Sequence, residues 1–235
     1  MVMGPDRLAG AIEMMDLPDA DPAELARTLS DLAWINRWLG GRRLILHHLA
    51  PLLDGRAAPI RILDVGTGCA DVPRAIARWA RGRQLPVEIE GIDHHGRIAA
   101  LARQRSTAYP EIRIRNADAL SLPYPDGSFD IVIASLVLHH MEGEDQVRLL
   151  RELYRVARRA VLVNDLRRGY WPFVVTWASL HVLSRSRLIR HDGPLSVRRS
   201  FLRAELLALA RRAGWERARV SHHAFFRLAL VGEKA

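Results

Sequence analysis

Arg61-Ile-Leu-Asp-Val-Gly-Thr-Gly-Cys-Ala-Asp-Val-Pro73 is the stretch on which the reading of the fold depends. A short apolar run ends in Asp64, and two glycines, Gly66 and Gly68, then lead toward a helix. A glycine-rich turn after a buried strand lets the backbone approach a nucleotide-like ligand at the carboxyl end of the strand. A dinucleotide-binding turn requires a third glycine where this chain has Asp71, and it needs no acid just before the first. The turn is therefore of another type.

Outward from it, apolar strands alternate with helical stretches. Ile60–Val65, Val87–Ile92, Ile112–Arg115, Phe129–Ser135 and Val161–Asn164 read as strands. Helical patterns lie near Pro73–Arg81, Arg97–Arg105 and Gly143–Ala157. This alternation predicts an α/β fold with a parallel sheet covered on both faces. The end of the chain differs: a helix over Arg203–Ala213 precedes strands at Arg217–Ser221 and Phe225–Val231, spaced for an antiparallel hairpin. Upstream, Asp21-Pro-Ala-Glu24 reads as a capped helix start whose apolar spacing runs to Gly40-Gly41. A second helix covers Arg42 to Leu53, followed by a turn at Asp54-Gly55-Arg56.

One segment breaks the alternation. Between the fifth strand and the last helix, residues 166–200 include Tyr170-Trp-Pro-Phe-Val-Val-Thr-Trp-Ala-Ser-Leu-His-Val-Leu183. This run is too short to span a bilayer and too aromatic for an ordinary surface loop. It reads as a helical cap over the carboxyl ends of the strands, or as a face packed on the N-terminal helices.

The 235 residues suffice for one sizeable core. The single cysteine, Cys69, excludes a disulfide framework and any cysteine-based zinc cluster, and reads as a small buried side chain. The N-terminus shows no basic region followed by an apolar core, so no signal peptide and a cytoplasmic location are expected. The formal charge of +9 comes almost wholly from scattered arginines. Pairs such as Arg42-Arg43, Arg158-Arg159, Arg167-Arg168 and Arg198-Arg199 read as solvated helix ends and loops rather than a nucleic-acid groove. An anionic membrane surface stays compatible with them.

Further acids follow the strands in register: Asp93 ends the second, and Asp118 follows the third in Asn116-Ala-Asp-Ala-Leu120. Taken singly, each reads as a helix cap or turn former. Together with Asp64-Val-Gly-Thr-Gly68 they resemble the class I S-adenosylmethionine (SAM)-dependent methyltransferases, over roughly Pro59 to Glu233. The surroundings of the fourth strand, Leu122-Pro-Tyr-Pro-Asp-Gly-Ser-Phe-Asp130 and Ile131 to Met141, resemble the UbiE-like small-molecule subgroup, methyltransferase type 11. The resemblance implies a Rossmann-like, mostly parallel sheet with an antiparallel C-terminal hairpin. It divides the chain into an N-terminal helical attachment at 1–58 and a methyltransferase domain at 59–235, with the cap inserted at about 166–200.

The same resemblance implies SAM as cofactor and S-adenosylhomocysteine as product. Gly66 and Gly68 would let the backbone approach the methionine part, with Asp64 fixing the turn or contacting the cofactor; Asp93 would hold the ribose and Asp118 and Ala119 the adenine, with Thr67, His94 and Ser135 as further cofactor-binding residues. The chain lacks the Asn/Asp-Pro-Pro-Tyr/Phe element of enzymes that methylate amino groups of nucleobases or glutamine, having Ser135-Leu-Val-Leu138 there instead. It also lacks a nucleophilic cysteine at this point. A hydrophobic small-molecule acceptor such as a phenol or quinol is thus implied, with oxygen as the first choice of methylated atom and carbon the second. No nucleic-acid partner is expected. An RNA or protein substrate, or a non-catalytic SAM-binding partner protein, are the rival readings.

Histidine suits a base acting near neutral pH. His140 and His139, at the mouth beyond the fourth strand, are candidates; the alternative is that they cap the next helix or line the pocket. His191 beside Asp192 is a third, in Arg190-His-Asp-Gly193, which otherwise reads as a polar turn. His181 and Asn164-Asp165 are placed to line the same region. His47-His48 and His222-His223 read as structural. No His/Asp/Glu spacing suggests a metal site, and none is expected.

Overall fold

Strands buried on both faces need near-continuous apolar side chains, and the central strands have them. The computed structural model describes residues 7–11, 13–14, 22–53, 59–184 and 186–234. Its single sheet contains β1 (Ile60–Val65), β2 (Val87–Asp93), β3 (Ile112–Asn116), β4 (Phe129–Ser135), β5 (Ala157–Leu166), β6 (Arg217–His223) and β7 (Arg227–Glu233). The order is β3-β2-β1-β4-β5-β7-β6. β1 to β5 are parallel, and β7 inserts antiparallel between β5 and β6. The α/β sheet with an antiparallel C-terminal hairpin expected from the sequence is therefore present.

Helices cover both faces. α2 (Gly41–Leu53), α3 (Asp71–Arg81) and α4 (Gly96–Arg105) bury Ile45, Leu49, Ile76 and Ala99 against Ile62, Ile131 and Leu162. On the other face α5 (Glu144–Val156) and α8 (Arg203–Arg212) pack Leu149, Leu153 and Leu206 onto Leu63, Val132 and Val161. Each such fully buried leucine, isoleucine or valine stabilises the fold by roughly 2 kcal/mol. α1 (Pro22–Trp38) lies over the end of β1, where Leu25 and Leu29 meet Cys69 and Ile98. Cys69 is buried, as read, and its thiol is pushed up by burial.

The cap is two helices, α6 (Tyr170–Leu183) and α7 (Arg187–Arg199), packed on each other. Arg190–Gly193, expected as a polar turn, lies inside α7. Gly193 and Pro194 mimic turn signals, yet Gly193 serves packing: a Cβ there would sit 2.1 Å from Leu180 Cδ1 of α6. The helix is started by Ser186, whose hydroxyl accepts the Ile189 N–H at 3.3 Å.

Other expectations shift. The helix expected to Ala157 ends at Val156, and β5 begins early, so Arg158 and Arg159 lie in a strand. Arg158 pairs with Asp130, and Arg159 donates to the Leu52 carbonyl at 3.1 Å. Arg168 and Arg199 are buried rather than solvated; Arg168 holds Glu205 at 2.6 Å. β7 starts at Arg227 because Phe225 and Phe226, both at φ 57°, form the hairpin turn. The Asp21 cap and the Asp54–Arg56 turn lie outside the described residues.

The histidines read as structural cluster between α2 and β6. His48 Nε2 and His223 Nε2 are 2.9 Å apart, with the His47 ring 5.2 Å from that of His48. Burial, reinforced by His223 and His47, pushes His48 down to about 4. The folded protein thus keeps His48 neutral in a range where the unfolded chain takes up a proton. Stability is expected to fall as pH drops from about 6.5 toward 4. Thermal denaturation across this window should show a shallower decline for His48→Asn than for the native chain; parallel curves would remove His48 as the cause.

Candidate functional site

In a parallel sheet all strand ends of one kind meet along one edge. The register pairs Val65 with Ile92 and Ala134, Asp93 with Asn116, and Ser135 with Asn164, so the candidate residues converge at the carboxyl edge.

The turn after β1 is held from inside. Gly66 and Gly68 have φ of 67° and 53°, a region costly for other residues. At Gly66 a Cβ would also lie 2.4 Å from Val137 Cγ2, so glycine lets the β4 loop close over the turn. Thr67 donates its hydroxyl to Asp64 Oδ2 at 2.7 Å and its N–H to the Ile92 carbonyl at 2.8 Å. Both side chains are buried, and burial pushes Asp64 up to about 7 against the Thr67 bond. Asp64 and Thr67 thus shape the turn from beneath.

Asp93 faces the turn from β2. Its carboxylate accepts the Gly68 N–H at 3.0 Å and the His95 N–H at 3.0 Å, and burial raises its pKa. Each oxygen retains lone-pair capacity for a further donor. His95 Nδ1 is buried nearby without a hydrogen-bond partner among the described residues. His94 is exposed, its ring nitrogen 3.8 Å from Asp93. Beyond β3, Asp118 is exposed and accepts the Leu120 N–H at 2.9 Å, which shapes the loop carrying Ala119. An open left-handed turn, a buried two-oxygen acceptor beside it and an orphaned ring nitrogen fit a ligand with a diol and a heterocycle. Ser135 accepts from Asn164 Nδ2 at 2.8 Å and so ties β4 to β5.

A second constellation forms past β4. Leu138–His140 make one 3-10 turn. His139 Nδ1 donates to Asp165 Oδ1 at 2.8 Å, and its backbone N–H reaches Asp165 Oδ2 at 3.1 Å. Asp165 is fully buried at the end of β5. With Nδ1 protonated, Nε2 presents its lone pair, 3.6 Å from Glu13 Oε1. His140 Nε2 lies 3.9 Å from Glu13 Oε2 and is more accessible than His139.

Glu13 was not singled out by sequence reading, since nothing in residues 7–14 signals chemistry. The segment is strapped across the site: Gly10 N–H to Glu142 at 2.8 Å, Met14 N–H to Asp192 at 2.9 Å, and the Ala11 carbonyl to Arg199. Ser196 of α7 holds Glu13 Oε1 at 2.8 Å. The donor atoms of Glu13, His139 and His140 lie within 4.8 Å of one another, a set that can share a proton or hold a cation. The sequence separation of residue 13 from residues 139–140 hides it.

His191 lies on α7, where its partner Asp192 also accepts the Met14 N–H. It does bond its neighbour Asp192, at 2.8 Å, and with His181, Trp177 and Arg187 it lines an open cleft of about 540 Å³ on the cap.

Residues 63–163 match the family model described as a methyltransferase domain. A demethylmenaquinone methyltransferase of Thermus thermophilus is 39% identical over 100 residues, or 42% of this chain and 43% of that protein. A malonyl-[acyl-carrier protein] O-methyltransferase of Halorhodospira halophila is 32% identical over 166 residues, or 66% and 52%. The chain spans about half the length of these curated relatives. Among solved structures, a SAM dependent methyltransferase from Aquifex aeolicus superposes with a TM-score of 0.66 at 17% identity, covering 92% of this chain and 99% of that one. Human N-acetylserotonin methyltransferase in complex with SAM gives 0.65 at 15%, covering 92% and 57%. These two likenesses show a shared fold. The matched segment runs from the glycine turn into β5 and is similar to methyltransferase domains, and the chain shares its fold with SAM-dependent methyltransferases.

Proposed function

We propose that the protein transfers a methyl group from SAM to a hydrophobic small molecule bearing a phenol, quinol or similar nucleophile, at oxygen first and carbon second. The observation that carries this reading is the His139–Asp165 pair at 2.8 Å, at the carboxyl end of β4 beside the glycine turn. When bound, SAM supplies a methyl carbon activated by its sulfonium. Asp93 would hold the ribose hydroxyls, and the loop at Asp118 and Ala119 the adenine.

His139 and His191 each bond a buried carboxylate, Asp165 and Asp192, an arrangement that fixes a base in one tautomer, and of the two His139 is the one at the carboxyl end of β4. Its Nε2 would take the proton of the acceptor hydroxyl as that oxygen gains the methyl group. Asp165 would stabilise the resulting imidazolium. Glu13 and His140 would order the acceptor, while the N-terminal strap and the cap exclude water. A second reading rests on the Glu13, His139 and His140 donor set: a divalent ion held there would polarise the acceptor oxygen.

Three measurements test this. With quinols and phenols as acceptors, Asp165→Asn should lower kcat by about 10²-fold or more while SAM affinity changes little. His139→Ala with full turnover would sink the base assignment. Stoichiometric zinc or manganese uptake in dialysis, abolished by Glu13→Ala, would transfer the role to the ion. For the cofactor, Asp93→Ala should weaken S-adenosylhomocysteine binding by about 10²-fold in calorimetry, since a charged acceptor is lost. Unchanged affinity would overturn the ribose role.

A further inference from the structure

A soluble surface scatters its exposed apolar side chains, whereas here they gather on one side. Among the described residues, the large apolar side chains left exposed lie on α1 and the turn after it, α6, the start of α8 and the β6–β7 turn. All four places border the carboxyl edge. The Leu39 carbonyl accepts from Arg227 at 2.9 Å, the Phe226 carbonyl accepts from Arg167 at 2.7 Å, and Phe201 bridges to Arg167.

α6 dominates this rim. It carries no charged residue over its 14 positions, and Trp171 and Val182, which share one face, are 65% and 82% exposed. Trp177 adds a neighbouring side of the same helix, and Trp34 and Trp38 extend the rim along α1. A surface helix of a soluble protein normally turns charges to water. Tryptophan and tyrosine favour the boundary between lipid headgroups and acyl chains. The flanking charges are mostly positive: Arg27 and Arg37 on α1 are exposed, as is Arg187 at the start of α7, with Asp31 the exposed acid on α1. The Arg37 guanidinium lies 5.5 Å from the Trp38 ring, as a side chain reaching past an aromatic toward phosphate would. No described helix is long and apolar enough to cross a bilayer, so this face would lie in the interface.

We infer that the carboxyl-edge rim, α6 with the exposed tryptophans of α1, docks on the surface of an anionic phospholipid bilayer. Apolar rings enter the headgroup region and the arginines meet lipid phosphates. The mouth of the candidate active site then opens toward the membrane. This goes beyond the methyl-transfer reading and does not depend on it, because binding is measured without acceptor or cofactor.

The test is co-sedimentation of the full chain with phosphatidylcholine vesicles with and without phosphatidylglycerol. Binding is expected to the anionic vesicles, with a blue shift of tryptophan emission and weakening in high salt. Trp171→Ser combined with Trp34→Ser should lower the partition coefficient by about tenfold or more, with circular dichroism unchanged. No binding to anionic vesicles, or binding indifferent to these substitutions, would overturn the inference. So would a homodimer in light scattering that the same substitutions dissolve, since a second copy would then occupy the face.

Discussion

The site depends on a backbone turn with two left-handed glycines, followed by a left-handed Ala70, closed under strong steric constraint. Gly66 and Gly68 supply the dihedrals, and the Gly66 Cα sits where any Cβ would strike Val137. That contact couples the turn after β1 to the loop after β4, so the proposed cofactor side and the proposed acceptor side of the site are fixed relative to each other. Asp93 completes the coupling from β2 by accepting the Gly68 N–H. Because these bonds are made by the protein itself, the turn is shaped before any ligand arrives. Burying Asp64 beneath it has an energetic cost, visible in the upward displacement of its pKa, which the Thr67 hydroxyl only partly offsets.

The acceptor side has a different construction. His139 is oriented by Asp165 from β5, Glu13 comes from the far N-terminus, and Ser196 and Arg199 of α7 hold that strap in place. Local backbone geometry does little here. The residues are brought together by long-range packing, and the described residues of the strap are held by hydrogen bonds of both backbone and side-chain groups. Such a closure can open without disturbing the sheet, which suits the proposed entry of an acceptor followed by exclusion of water. The exposed rim around this entrance adds a second asymmetry, since apolar surface and arginines share one edge of the molecule.

Much of the architecture was legible because each element carried its own local signal. Parallel strands buried on both faces read as apolar runs, and Asp64, Asp93 and Asp118 fell at strand ends in order. Where local and tertiary signals conflicted, the reading failed in understandable ways. Arg158 and Arg159 masked the first half of β5, because their charges are satisfied by Asp130 and the Leu52 carbonyl at the sheet margin. Gly193 and Pro194 imitated a turn inside α7, where glycine answers to the closeness of α6.

The sequence by itself determined the fold class, the glycine turn and the acids that mark the cofactor side. Those features arise from φ/ψ limits and from hydrophobic periodicity, which act within a few residues. Only the tertiary structure decided that His139 is oriented by Asp165, that Glu13 belongs with residues more than a hundred positions away, and that Tyr170, Trp171 and Trp177 of α6 stay outside. Their roles depend on contacts between distant segments, and no local pattern of residues encodes those.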